Sequence, residues 1–218
     1  MIYIGLDLGK AADYTAVAAV QAVKERLECN DSAGMPMFGT FLHCRHLHRY
    51  QLNTMYTEIV DDMASMVNHP ELKRDGYLLI PDATGVGAPV IELLAQRKIK
   101  QMPIYIIGLG KEHVDEDSGY MLIPKRDLIT NLVVAFETSQ IKFAKGLEYE
   151  RLITEELTNF RMKKTKAAND IFEAREGEHD DLVLALSLAV YFAKRHRWTA
   201  QANAPVKHVH PLERMKGI

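Results

Sequence analysis

Apolar residues fall in short β-forming runs over the first fifty positions and at helical spacing after that. Ile2 to Asp7 is rich in β-formers, and after a turn over Gly9 to Asp13 the run Tyr14 to Val20 predicts a second strand. Lys24 to Pro36 is charged and ends in Gly34-Met35-Pro36, so it predicts an exposed connection. Phe38 to Leu47 predicts a third strand, close enough in sequence to pair antiparallel with the second. The period then changes. Tyr56, Ile59, Val60, Met63 and Val67 recur at helical spacing, and His69-Pro70 ends that helix. Tyr77 to Asp82 predicts a strand, the turn Thr84 to Pro89 leads into a helix through about Arg97, and Pro103 to Ile107 predicts another strand. Strand, helix and strand at this spacing indicate parallel crossover units. Further helices are predicted over Lys125 to Thr138 and Tyr149 to Phe160. From Asp181 to Ala193 the pattern is apolar on nearly every face, which predicts a helix sandwiched inside the protein. The expected architecture is an α/β domain over residues 1–196, with a mixed central sheet of three antiparallel strands followed by parallel ones. Residues 197–218, with Pro205 and Pro211, are expected to form a basic, extended tail.

Composition narrows the class. The chain has 218 residues, 47% hydrophobic and 26% charged, which suits a globular protein with a buried core and excludes disorder as a whole-chain description. No apolar run approaches the ~18 residues needed to span a bilayer. Met1 leads directly into Ile2-Tyr3-Ile4 without a charged leader, so a cytoplasmic setting without membrane association is expected. The cysteines, Cys29 and Cys44, form no CxxC pair, which excludes a disulfide framework and a four-cysteine zinc site. A net charge of −2 argues against a cationic nucleic-acid coat protein, yet is compatible with an enzyme that gathers acidic residues at a metal site.

Three carboxylates stand in comparable places. Asp7 ends the first predicted strand, Asp82 ends the fourth, and Asp181 begins the buried last helix. Ligand sites in open α/β sheets form outside the carboxyl ends of strands, so the first two can converge there, and the third joins them if its helix packs beside the first strand. Like charges brought together repel, and desolvation adds to the cost, so such a cluster calls for bound cations. Oxygen donors without cysteine or paired-histidine spacing favour Mg²⁺ or Mn²⁺ over zinc. Each aspartate also has a structural reading: Asp7 as a turn residue, Asp82 as a cap of the next helix, and Asp181 as an acceptor at a helix N-terminus.

The stretches Gly5-Leu6-Asp7-Leu8-Gly9 with Asp13-Tyr14-Thr15-Ala16, Ile80-Pro81-Asp82-Ala83-Thr84-Gly85-Val86-Gly87, and Gly177-Glu178-His179-Asp180-Asp181-Leu182 resemble the nuclease domain of the large terminase subunit of tailed bacteriophages. Ile123-Pro124-Lys125-Arg126, Glu155-Glu156-Leu157 and Phe160 add to the likeness, which runs over about residues 1–196. The predicted element order is that of the ribonuclease H-like fold. The resemblance implies a metal-dependent endonuclease that cuts concatemeric viral double-stranded DNA during packaging, by two-metal hydrolysis with Mg²⁺ or Mn²⁺. It makes Asp7, Asp82 and Asp181 the metal ligands. Asp180 either binds metal or orients its neighbour, since adjacent residues at a helix start point different ways. His179 is either a metal ligand, a supporting group near the ions or a hydrogen-bonding cap, and Asp13 either approaches the ions from the loop after the first strand or is a turn residue. Lys125 either meets the scissile phosphate or offsets the carboxylates. A packaging ATPase, a portal and a small terminase subunit are the implied partners. A complete large terminase carries an ATPase motor, and this chain has no GxxxxGK[ST] loop, so an excised domain or a motor-less version is expected.

Other features carry competing readings. Thr84 to Val90 matches half of a dinucleotide fingerprint, but Val90 replaces the last glycine and a tight turn explains it better. His43, His46 and His48 suggest zinc, but without a cysteine or carboxylate partner motif an exposed polar strand face is the expectation. Lys163, Lys164, Lys166 and Arg195 lie in basic segments suited either to DNA phosphates or to a solvated surface. A Holliday-junction-resolvase-like nuclease would share the acidic geometry. The opening Gly-Leu-Asp-Leu-Gly is also found in actin-like and sugar-kinase ATPases, and a non-catalytic packaging module would use the aspartates for stability alone.

Overall fold

The computed structural model describes residues 1–9, 13–85, 87–159, 161–164, 170–173 and 179–195. A five-stranded mixed sheet carries the architecture, in the order β4-β1-β2-β3-β8. Its first three strands form a meander: β1 (Ile2–Asp7), β2 (Ala16–Asn30) and β3 (Pro36–Arg49). Helices α1 (Tyr56–Val67) and α2 (Pro70–Asp75) then lead to β4 (Tyr77–Pro81), which lies parallel to β1. After α3 (Gly87–Gln96), β5 (Ile104–Ile107), β6 (His113–Val114) and β7 (Met121–Pro124) form a second, three-stranded sheet, joined to the end of β4 by single bridges such as Asp82 to Ile104. Helix α4 (Lys125–Glu137), strand β8 (Ile141–Phe143), helix α5 (Glu150–Asn159), the hairpin β9 (Arg161–Lys164) and β10 (Asp170–Glu173), and helix α6 (Asp181–Arg195) complete the described chain.

The alternation of strand side chains splits the core in two. Ile2, Ile4, Leu6, Val17 and Ala19 pack with α1 and α3 on one face; Tyr3, Ala16, Ala18 and Val20 pack with α4, α5 and α6 on the other. The expectation for the last helix holds, since α6 is buried from Asp181 to Ala193 apart from half-buried Leu184. At Gly5 the helix touches the strand backbone: a Cβ there would lie 1.9 Å from the Ala185 carbonyl oxygen. No described helix is long and apolar enough to cross a membrane.

Three local expectations are corrected. Lys24 to Pro36 is not a loose connection: β2 runs on to Asn30 opposite a β3 that starts at Pro36, leaving a tight turn in which Asp31 Oδ1 accepts from the N–H groups of Ala33 and Met35 at 2.9 and 2.8 Å. Charged residues are compatible with a ribbon solvated on both faces once a partner strand supplies the backbone pairing. His69-Pro70 ends α1 but also starts α2, with Pro70 at its first position, where a missing N–H costs nothing. The parallel run after β4 divides between two sheets, with β8 adding to β3 instead. The proposed tail, 197–218, lies outside the described residues.

Candidate active site

Strand β1 delivers Asp7 at its last residue, and the ladder continues past β4 because the Asp82 N–H donates to the Leu6 carbonyl at 2.8 Å. The two carboxylates therefore leave neighbouring parallel strands at the same sheet edge. Asp181 arrives from the other direction, in the first turn of α6, and the close approach at Gly5 sets that helix directly over β1. All three are buried, with 8%, 9% and 4% of their surface exposed.

Their electrostatics follow from this burial and placement. Burial, then Asp82, Asp181 and Asp180 in turn, push the Asp7 carboxyl well above the usual carboxylate range, while Lys125 pulls it back. Burial raises Asp82 against the two hydrogen bonds it accepts at Oδ1 from Thr84, from N–H at 2.8 Å and from Oγ1 at 2.5 Å. Asp181 is pushed up to about 6, by burial first, with His179 opposing and Asp180 adding. Its Oδ2 is buried and has no hydrogen-bond partner among the described residues, and His179 Nδ1 stands 3.7 Å away. Among the described residues no three His, Cys, Asp or Glu side chains stand close enough to surround one ion. The carboxylates meet at Coulombic range instead. An orphaned, buried carboxylate oxygen within an all-oxygen acidic set nonetheless fits hard divalent cations in charge and donor chemistry.

The remaining residues sort themselves around this centre. Lys125, first residue of α4, donates from Nζ to Asp180 Oδ2 at 2.8 Å and acts electrostatically on Asp7 and Asp82. Tyr14 meets the His179 ring edge-on at 4.7 Å and lies under the Arg49 guanidinium at 4.1 Å. Asp13 is exposed and reaches Asp181 only through its charge. Thr84 and Gly85, with φ +82° at the glycine, make a tight turn behind Asp82, which favours the turn over the dinucleotide reading. Glu156 was not foreseen as part of the site. It is 5% exposed, feels the charge of Asp181, and accepts from two backbone N–H groups at the start of α6. The available signal was its place three residues after buried Ile153, a carboxylate on the apolar stripe of α5.

Two groups lie elsewhere. His43, His46 and His48 do not form an exposed polar face: all are half-buried, His43 against Glu25 and His48 edge-on to Tyr50 and Tyr149. Arg195 is paired with Glu112 and lies over the Tyr191 ring at 4.8 Å. Lys163 and Lys164 belong to β9, and Lys166 lies outside the described residues.

No protein-family model matches the chain. In sequence it is 29% identical over 111 residues to the large terminase subunit of Thermus phage G20c, a match covering 51% of this chain and 19% of that protein. In structure it matches the large terminase nuclease of phage G20c with bound magnesium, at TM-score 0.57 and 23% identity, over 88% of this chain and 80% of that one. It also matches the manganese-soaked terminase nuclease domain of human cytomegalovirus, at TM-score 0.53 and 15% identity, over 87% and 82%. The fold is that of the large-terminase nuclease domain. This ribonuclease H-like architecture agrees with the element order read from the sequence. The chain spans about a fifth of the length of the curated large terminase subunits it matches.

Proposed function

We propose that the chain is a divalent-metal-dependent endonuclease acting on double-stranded DNA, and that it cuts concatemeric viral DNA during genome packaging. The observation that carries this reading is the convergence of Asp7, Asp82 and Asp181, all buried and with the charges of the latter two acting on Asp7, at one edge of a terminase-nuclease fold. These three carboxylates would hold two ions, Mg²⁺ or Mn²⁺, which when bound supply water activation and stabilisation of the departing oxygen. Thr84 fixes the Asp82 carboxylate through two hydrogen bonds to its Oδ1. Lys125 moderates the repulsion from the start of α4 and is the proposed contact to the scissile phosphate. Lys163, Lys164 and Lys166 are the proposed contacts to the DNA backbone, whose phosphates take such residues without reading sequence. Arg195 is already engaged by Glu112 and contributes less. Packaging partners, an ATPase motor, a portal and a small subunit, follow from the likeness to large terminases.

The test offers linear duplex, supercoiled plasmid and a four-way junction with Mn²⁺ and no ATP. Cleavage of the duplex forms at rates similar to the junction supports the packaging-nuclease reading. Cleavage confined to the junction would make the chain a resolvase, and no cleavage of any form would leave only a binding module.

A further inference from the structure

Asp180 stands immediately before the first turn of α6, and its carbonyl accepts the Leu184 N–H at 2.8 Å, as that of a helix-capping residue does. A carboxylate in this position ordinarily folds back onto the free N–H groups of the next turn. Asp180 does not: its Oδ2 is held by Lys125. The N–H groups it leaves, those of Leu182 and Val183, donate instead to Oε2 of Glu156, at 3.0 and 3.1 Å, from a different helix. We infer that Glu156 is a positioning residue for the acidic site, capping α6 from α5 so that the Asp181 carboxylate stays on the side of Asp7 while that of Asp180 is left to pair with Lys125. The consequence for catalysis rests on the nuclease reading above.

Two further contacts support a role beyond simple capping. The second Glu156 oxygen, Oε1, is buried without a hydrogen-bond partner among the described residues, and Arg49 Nη1 stands 3.6 Å from it. Arg49 lies over Tyr14, Tyr14 meets His179, and His179 faces the unpartnered Oδ2 of Asp181. Glu156 is therefore linked to the segment carrying Asp181 by two routes, directly at the backbone of α6 and through the relay of Arg49, Tyr14 and His179. A carboxylate serving only to stabilise a helix would need the first contact alone.

The experiment compares wild type with Glu156→Gln, which keeps an oxygen acceptor, Glu156→Ala, which removes it, and Glu156→Asp, which withdraws it by one methylene. Mn²⁺ binding is measured by calorimetry, and amide hydrogen exchange is followed across the start of α6. Glu156→Ala and Glu156→Asp should expose the Leu182 and Val183 amides and weaken Mn²⁺ binding by about 10-fold or more, whereas Glu156→Gln should stay within about 3-fold of wild type. In cleavage, kcat should fall in Glu156→Ala and Glu156→Asp while KM for DNA holds. If Glu156→Ala does not fold, the Asp and Gln variants carry the same comparison. A variant without the oxygen that melts lower yet binds Mn²⁺ like wild type would reduce Glu156 to a structural cap and overturn the inference alone. Wild-type protein that takes up no Mn²⁺ would sink the metal reading itself, and the inference with it.

Discussion

Lys125 and Asp180, 55 residues apart in sequence, are joined by a 2.8 Å ion pair that ties the start of α4 to the start of α6 at the rim of the acidic site. Lys125 also draws Asp7 and Asp82 back toward their ionised forms. Lys125→Ala should therefore lower single-turnover DNA cleavage by about 10- to 100-fold, and Asp180→Asn should do the same, the range expected for groups that orient ligands. Cleavage by Lys125→Ala at the wild-type rate would remove the residue from the site.

Asp82 and Asp181 both act on Asp7 through their charge, and that repulsion works against the metal-free fold. Asp7→Asn or Asp181→Asn relieves it, so the melting temperature in EDTA should rise or stay unchanged. Millimolar Mn²⁺ should raise the melting temperature of wild type by mass action and have little effect on either variant. A wild-type melting curve indifferent to Mn²⁺ and EDTA would count against a cation site.

The raised carboxyls also predict a pH dependence. A carboxyl whose folded pKa lies above its unfolded value of ~4 stabilises the protein while protonated, and that contribution disappears as pH rises through the folded pKa. Glu156, pushed up to about 7 chiefly by burial, and Asp7, well above its usual range, act in this sense. In EDTA the melting temperature should therefore climb on going from pH 8 to pH 6.5, on the order of 5 °C. His46, lowered by burial, opposes the trend toward the acid end of this interval, where the unfolded imidazole begins to protonate, and makes the climb smaller there. Asp7→Asn should flatten the slope, and a wild-type melting temperature that falls over this interval would contradict the assigned shifts.

Gly5 is where the fold and the site depend on each other. A methyl group there would sit 1.9 Å from the Ala185 carbonyl, and backbone cannot yield as a flexible side chain does. Gly5→Ala should cost more than the ~1–3 kcal/mol typical of an overpacked core, because α6 must move off β1 and carry Asp181 with it. Thermal unfolding and Mn²⁺ titration of this variant should both deteriorate. A variant with wild-type stability would show that the close approach is not required.

The three aspartates that the fold brings together stand out in the sequence because each sits where local pattern changes: Asp7 and Asp82 where a β-forming run meets a glycine turn, and Asp181 where a Gly-Glu-His-Asp-Asp segment meets an all-apolar helix. The buried last helix was equally plain. What escaped was pairing over distance. The extension of β2 to Asn30 depends on a partner strand, and the three residues of β8 are too few to carry a period. The contacts of Glu156 and Thr84 arise from packing, α5 against α6 and the turn behind β4; the place of Glu156 on the apolar stripe of α5 marks it as buried without naming its partner.

The most direct test is nicking of supercoiled plasmid with Mn²⁺ as the only cofactor, comparing wild type with Asp7→Asn at matched folded concentration. Wild type should convert the plasmid to open and linear forms without ATP, and Asp7→Asn should lose at least ~100-fold of that rate, as expected when a group stabilising transition-state charge is removed. Asp7→Asn cutting as fast as wild type, or wild type cutting under no divalent ion, would contradict a metal-dependent nuclease built on Asp7, Asp82 and Asp181.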